Sequence, residues 1–267
     1  MSIQNLNSLL SHNVKGQTEN LLIVDTRPFS DYLKGHIPSA INLDLMQFHW
    51  LDTSITGIKQ FNRQSRILLS NLGIQNKEKV IFYDDTSGPT AARGLWLLLY
   101  FSYKEVAILD GGFSKWKEKG FKIEKVTNQF QYSRFQGKVN SDVLATSKEI
   151  NLVIGSKKNS KAYIIDSRSE KEFDGTVVRG GRRGHIPKAH HIDWSMNLAN
   201  GYFKNYNELA RVYSDFPKDK QIIAYCQGGY RAANTFLALK LLGYKKVKVY
   251  LGSWGEWSSL QNLPPER

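Results

Sequence analysis

The sequence predicts an α/β protein built as two tandem copies of one unit, each a mainly parallel sheet flanked by helices. Three observations carry this expectation. Short apolar runs rich in β-branched residues alternate with segments of helical period, as expected of strands covered on both faces by helices. The second half of the 267-residue chain can be laid over the first, motif for motif. In both halves a polar loop follows a central apolar run and leads through Ala-Ala into an apolar helical stretch.

Taken in chain order, LLIVD (21–25), KVIFYD (79–84) and EVAIL (105–109) are the strand candidates of the first half, and AYIID (162–166), QIIAY (221–225) and VKVYL (247–251) those of the second. Ile23-Val24-Asp25-Thr26-Arg27 matches Ile164-Ile165-Asp166-Ser167-Arg168, and Gly35-His36-Ile37-Pro38 matches Gly184-His185-Ile186-Pro187. VIFYD (80–84) falls on IIAYC (222–226), and LDGGFSKW (109–116) falls on YLGSWGEW (250–257). Ala233, Phe236, Leu237, Leu241 and Leu242 recur along one helix face, and Gly243 is placed to end that helix. The expected division is a first domain over 1–128, a linker over about 129–142 and a second domain over 143–267.

Composition narrows the function classes. The longest apolar run, Gly94 to Phe101, is far shorter than the ~20 residues of a membrane span. The first residues lack a charged-then-apolar leader pattern, so a cytoplasmic protein is expected. A single cysteine, Cys226, excludes an intramolecular disulfide and a multi-thiolate zinc site. The adjacent His190 and His191 lie on a predicted strand, where neighbouring side chains point to opposite faces, so no metal is expected. Net charge is +13: residues 1–128 hold 15 Lys plus Arg against 12 Asp plus Glu, and residues 129–267 hold 22 against 12. Such a field attracts anions. Without a basic run or a nucleic-acid motif, small anions are the expected partners and nucleic acid is not.

In parallel sheets, ligands sit beyond the carboxyl ends of strands, where loops lead into helix N-termini. Cys226 stands at such a strand end, and Gln227-Gly228-Gly229-Tyr230-Arg231 separates it from a helix expected to start near Ala232. Thiolate is the reactive form of cysteine and is favoured by loop amides, a helix N-terminus or a nearby arginine. Gly228 and Gly229 let the loop curl with its amides inward, and Arg231 adds a fixed cation. Asp166 and Arg168 recur as Asp25 and Arg27, which marks them as a structural ion pair. For the same reason His36 and His185 are read as turn-stabilising, and Trp254, Trp257, Phe113 and Trp116 as core aromatics.

IIAYCQGGYRAA, the paired D-[TS]-R and GHIP motifs and GSWGEW together resemble the two-domain rhodanese family over nearly the whole chain. The resemblance implies a sulfurtransferase in which Cys226 carries sulfane sulfur as a persulfide from a small anionic donor to cyanide or a thiol, without metal or organic cofactor. It also implies that the first copy, with Asp84 at the position of Cys226, supports the site without carrying sulfur. Phosphatases of this fold space cysteine and arginine more widely than the four residues between Cys226 and Arg231, so a phosphatase is the weaker enzyme reading. Thiosulfate is the favoured donor because a loop cation suits a sulfonate-like oxyanion, with 3-mercaptopyruvate as the alternative. The stretch between Arg168 and His185 is eight residues longer than its counterpart and brings Arg179, Arg182 and Arg183, which join Gln227, Gly228, Gly229, Tyr230 and Arg231 as expected substrate-binding residues. A non-catalytic binding module on this fold is the rival of another class, and a monomer is the default expectation.

Overall fold

Residues 1–13, 20–75, 78–156 and 162–266 are described by a computed structural model. In the first half the elements run α1 (Ile3–Asn13), β1 (Leu21–Asp25), α2 (Phe29–Lys34), β2 (Ile41–Asn42), α3 (Ile55–Asn71), β3 (Lys79–Tyr83), α4 (Pro89–Tyr100), β4 (Val106–Ile108) and α5 (Gly112–Glu118). The second half begins with β5 (Leu144–Ala145), α6 (Ser147–Gly155), β6 (Ala162–Asp166), α7 (Glu170–Phe173) and β7 (Ala189–His191). It continues through the short β8 (Leu198–Ala199) and β9 (Tyr202–Phe203) to α8 (Tyr206–Val212), β10 (Gln221–Tyr225), α9 (Tyr230–Leu241), β11 (Val247–Tyr250) and α10 (Ser253–Trp257). No helix among the described residues is long and apolar enough to cross a membrane.

The chain divides into two units. One comprises Met1–Phe48, Phe61–Val139 and Ala199–Phe203, and the other His49–Gln60, Asn140–Leu198 and Lys204–Arg267. The sheet of the first has the order β2-β1-β3-β4 and that of the second β5-β11-β10-β6-β7, with every pairing parallel. Both therefore place their longest apolar strands centrally, where both faces are covered. The register carries the duplication down to single residues: Asp25 pairs with Tyr83 on β1 and β3, and Asp166 with Tyr225 on β6 and β10.

The two cores use matching positions. Ile23, Ile37, Ile81, Tyr83, Phe113 and Trp116 are buried in the first, and Ile164, Ile186, Ile223, Tyr225, Trp254 and Trp257 in the second. The repeated ion pairs sit at the strand ends beneath the loops. Arg168 donates to both oxygens of Asp166 at 2.6–3.0 Å and to the Gly184 carbonyl at 2.9 Å, and Arg27 does the same to Asp25 and Gly35. Tyr225 adds a 2.6 Å hydrogen bond to Asp166, and Tyr83 a 2.7 Å bond to Asp25. Each charge is thus buried with its partners, the condition under which a buried ion pair is tolerated. His36 and His185 stack at 3.7 Å on Tyr32 and Phe173, and each Nδ1 bonds the carbonyl of that same aromatic residue. Their role is to hold the turn.

Candidate active site

Strand β10 delivers Cys226 to the carboxyl end of the second sheet. The next strand over, β6, ends level with it at Asp166. Beyond the cysteine the chain makes one tight loop and enters α9 at Tyr230, two residues earlier than the sequence suggested. The cause is Gly229, which caps the helix in the left-handed region at φ 87°, a conformation that glycine adopts without strain. Tyr230 and Arg231 consequently belong to the first helical turn.

The sulfur accepts the Gly229 N–H at 3.1 Å. The backbone of the cysteine is pinned from the other side: its N–H donates to Ser253 Oγ at 3.2 Å, Ser253 donates onward to the Tyr250 carbonyl at 2.9 Å, and the Cys226 carbonyl accepts the Trp254 N–H at 2.9 Å. Cys226 is only 1% exposed. Its surroundings are nevertheless polar, since the Gly229 amide, the Ser253 hydroxyl and the charge of Arg231 lie around it. The cover over the loop includes His49 and Leu51. The His49 ring lies 4.9 Å from that of Tyr230, a Cβ on Gly228 would stand 3.1 Å from His49 Cδ2, and one on Gly255 would stand 2.9 Å from a Leu51 methyl. Thr53 anchors this segment by donating its N–H to Glu256 Oε1 at 2.7 Å, and Tyr250 donates to Oε2 at 2.7 Å. Burial raises the Glu256 carboxyl above its ordinary range although these donors work against it.

Arg231 forms a bidentate ion pair with Glu172, at 2.6 and 2.9 Å. Burial alone would raise the Glu172 carboxyl, but the Arg231 guanidinium and the Ser169 donors hold it down at about 2. In return Glu172 raises Arg231 above the ordinary arginine range against its own desolvation. Arg179, largely exposed, reaches Glu172 at 3.8 Å, and its carbonyl accepts the Gln227 side-chain amide at 3.1 Å. Gln227, Gly228, Gly229, Tyr230, Arg231 and Arg179 are therefore gathered around Cys226.

Arg182 is engaged elsewhere. Its guanidinium donates to the carbonyls of Trp257, Ser258, Leu260 and Leu263 at 2.7–3.0 Å, so it fastens the insertion to the turn after α10. Arg183 is exposed, and its side chain makes no hydrogen bond or ion pair among the described residues. Two participants escaped the sequence reading. Glu172 was visible only as the last residue of a Ser-x-x-Glu capping box, Ser169 to Glu172. Ser253 could have been noticed because the repeat places Gly112 opposite it.

The equivalent loop of the first unit shows what such a cradle holds. Asp84 directs its carboxylate inward and accepts the N–H groups of Thr86, Gly88 and Ala91 at 2.9–3.2 Å and the Thr90 hydroxyl at 3.0 Å. A ring of inward amides stabilises an anion. In the Cys226 loop one amide, that of Gly229, is directed at the sulfur.

Comparison with known proteins agrees with this geometry. The rhodanese-like domain family matches twice, over residues 8–119 and 150–260. The chain is 34% identical over 259 residues to a putative thiosulfate sulfurtransferase of Mycolicibacterium smegmatis, covering 89% of this chain and 88% of that protein. It is 30% identical over 247 residues to the 3-mercaptopyruvate sulfurtransferase of Escherichia coli, covering 91% and 87%. Among solved structures, the anaerobic ergothioneine biosynthesis enzyme of Chlorobium limicola superimposes with a TM-score of 0.83 at 20% identity, covering 97% of this chain and 69% of that one, a likeness of fold. Carrying the family's domain in both halves, the chain belongs to the rhodanese family of sulfurtransferases.

Proposed function

We propose that the protein moves sulfane sulfur from thiosulfate to cyanide or a thiol through a persulfide on Cys226. The observation that carries the reading is the Cys226 sulfur at the tip of β10, held by the Gly229 amide and within the field of Arg231. The Cys226 thiolate attacks the outer sulfur of the donor, a new S–S bond forms, and the donor's own S–S bond breaks with its electron pair leaving on sulfite. The acceptor then attacks the terminal sulfur of the persulfide, becoming thiocyanate or a new persulfide, and the Cys226 thiolate is restored. Loop amides and Arg231 stabilise charge on the departing group without reorganising during the step. With Cys226 only 1% exposed, loading requires the cover over the loop to shift.

Thiosulfate is preferred because guanidinium forks match the oxygens of its sulfonate-like end, and Arg179 and Arg231 both lie beside the Cys226 loop. The 30% identity to the E. coli enzyme keeps 3-mercaptopyruvate as the second reading. Intact-mass measurement tests both. Incubation with thiosulfate should add one sulfur, cyanide or reductant should remove it, and Cys226→Ser should abolish the gain. A parallel incubation with 3-mercaptopyruvate ranks the donors. No mass gain from either would leave a binding module on this fold.

A further inference from the structure

We propose that Glu172 is a positioning residue that sets donor preference, fixing Arg231 and cancelling part of its charge so that the site favours doubly charged donors less than its two arginines alone would; this rests on the sulfurtransferase reading above. The Glu172 side chain is 2% exposed and that of Arg231 18%, so their pair is screened little by solvent. Both carboxylate oxygens face the guanidinium, which fixes its plane as well as its place. Glu172 is itself held independently of Arg231, because Ser169 donates both its N–H and its hydroxyl to Oε2, at 3.2 and 2.9 Å. The carboxylate is thus positioned by α7 before the arginine meets it.

The arrangement is confined to the copy that carries the cysteine. Four residues after Arg27, the first unit has Asp31, which is paired with Lys34 at the surface. In place of Arg231 it has Thr90, bonded to Asp84. Duplication preserved the Asp-Arg-Tyr frame in both units, and the Glu172–Arg231 pair stands only beside Cys226.

Its consequence is electrostatic. Arg179 and Arg231 supply two positive charges, and Glu172 removes one of them. With a thiolate at Cys226 the cluster is neutral, so a donor gains little from a second negative charge. Neutralising Glu172 would leave one positive charge uncompensated, and over a few ångströms that favours a dianion such as thiosulfate over the monoanionic 3-mercaptopyruvate.

Steady-state kinetics of Glu172→Gln and Glu172→Asp with both donors test this. Glu172→Gln should raise the ratio of kcat/KM for thiosulfate to that for 3-mercaptopyruvate by about tenfold, mainly through KM. Glu172→Asp keeps the charge but shortens the reach, so the ratio should stay within about twofold while kcat falls about fivefold or more for both donors. An unmoved ratio in Glu172→Gln, or a ratio moved as far by Glu172→Asp, overturns the proposal. If Glu172→Gln does not fold, Glu172→Asp decides alone: a changed ratio or an unchanged kcat rejects the role. Wild-type protein that takes sulfur from neither donor would instead reject the sulfurtransferase reading.

Discussion

Around Cys226, each side chain's contribution depends on the partner it leaves behind. Arg231→Ala removes a cation from the departing sulfite and should raise the barrier to sulfur loading by about 2–4 kcal/mol. It also strands the Glu172 carboxylate, and loss of one member of a buried pair costs about 3–5 kcal/mol of stability. The single variant should therefore lose both melting temperature and loading rate. Adding Glu172→Gln to it should restore most of the melting temperature and none of the rate, which thermal unfolding and intact-mass kinetics separate. Recovery of the rate in the double variant would mean that Arg231 acts only by balancing Glu172. Cys226 and Arg231 were legible in the sequence because their spacing sits between a strand and a helix. Glu172 was not, because a glutamate on a four-residue helix 59 positions away acquires its role only when β6 and β10 pair.

Between β10 and α10 the decisive feature is the conformation of one turn. Ser253 has φ 52°, in the left-handed region, and is fully buried. A serine there is strained by about 1 kcal/mol or more, and such strain persists where surrounding structure over-determines it. In the first unit the matching residue is Gly112 at φ 58°, where a Cβ would stand 2.3 Å from the Thr86 carbonyl oxygen. The serine differs by its hydroxyl, which receives the Cys226 N–H. Ser253→Gly should consequently leave the melting temperature unchanged or raise it, while slowing sulfur loading about tenfold, as loss of a catalytic loop's alignment does. Ser253→Ala, which keeps the strain without the hydroxyl, should lower both; an unaffected rate in either variant would show that the hydrogen bond does not govern the thiol.

The strands were legible here because they are nearly continuous apolar runs, and LLIVD, AYIID and QIIAY have the expected bounds. The insertion was less so. Its arginines read alike in sequence, but Gly180 and Gly181 lie close against Trp254 and Ser258, which brings Arg182 onto backbone carbonyls and leaves Arg179 beside Gln227.

For the molecule as a whole, the sequence made the repeat visible but not which segments group by contact: residues 49–60 join the second unit and 199–203 the first, a matter of tertiary packing that no repeat alignment reveals. The same repeat separates frame from chemistry. Each unit has the parallel sheet, the buried Asp-Arg-Tyr cluster, the aromatic core and a loop with a glycine amide turned inward. If that frame were sufficient, placing a thiol at the tip of β3 would create a second sulfur site. The loop after Asp84 is one residue longer before Ala-Ala, its arginine position is Thr90, and Asp31 faces Lys34. A thiol there would have amides around it but no counterpart of Arg231 to stabilise departing sulfite, a deficit of about 2–4 kcal/mol in the barrier. Asp84→Cys should therefore still take up one sulfur per chain from thiosulfate, and peptide mapping should place it on Cys226. Two sulfurs acquired at comparable rates would show that the amide cradle is enough, and that Arg231 and Glu172 refine a site which the duplicated sheet already makes reactive.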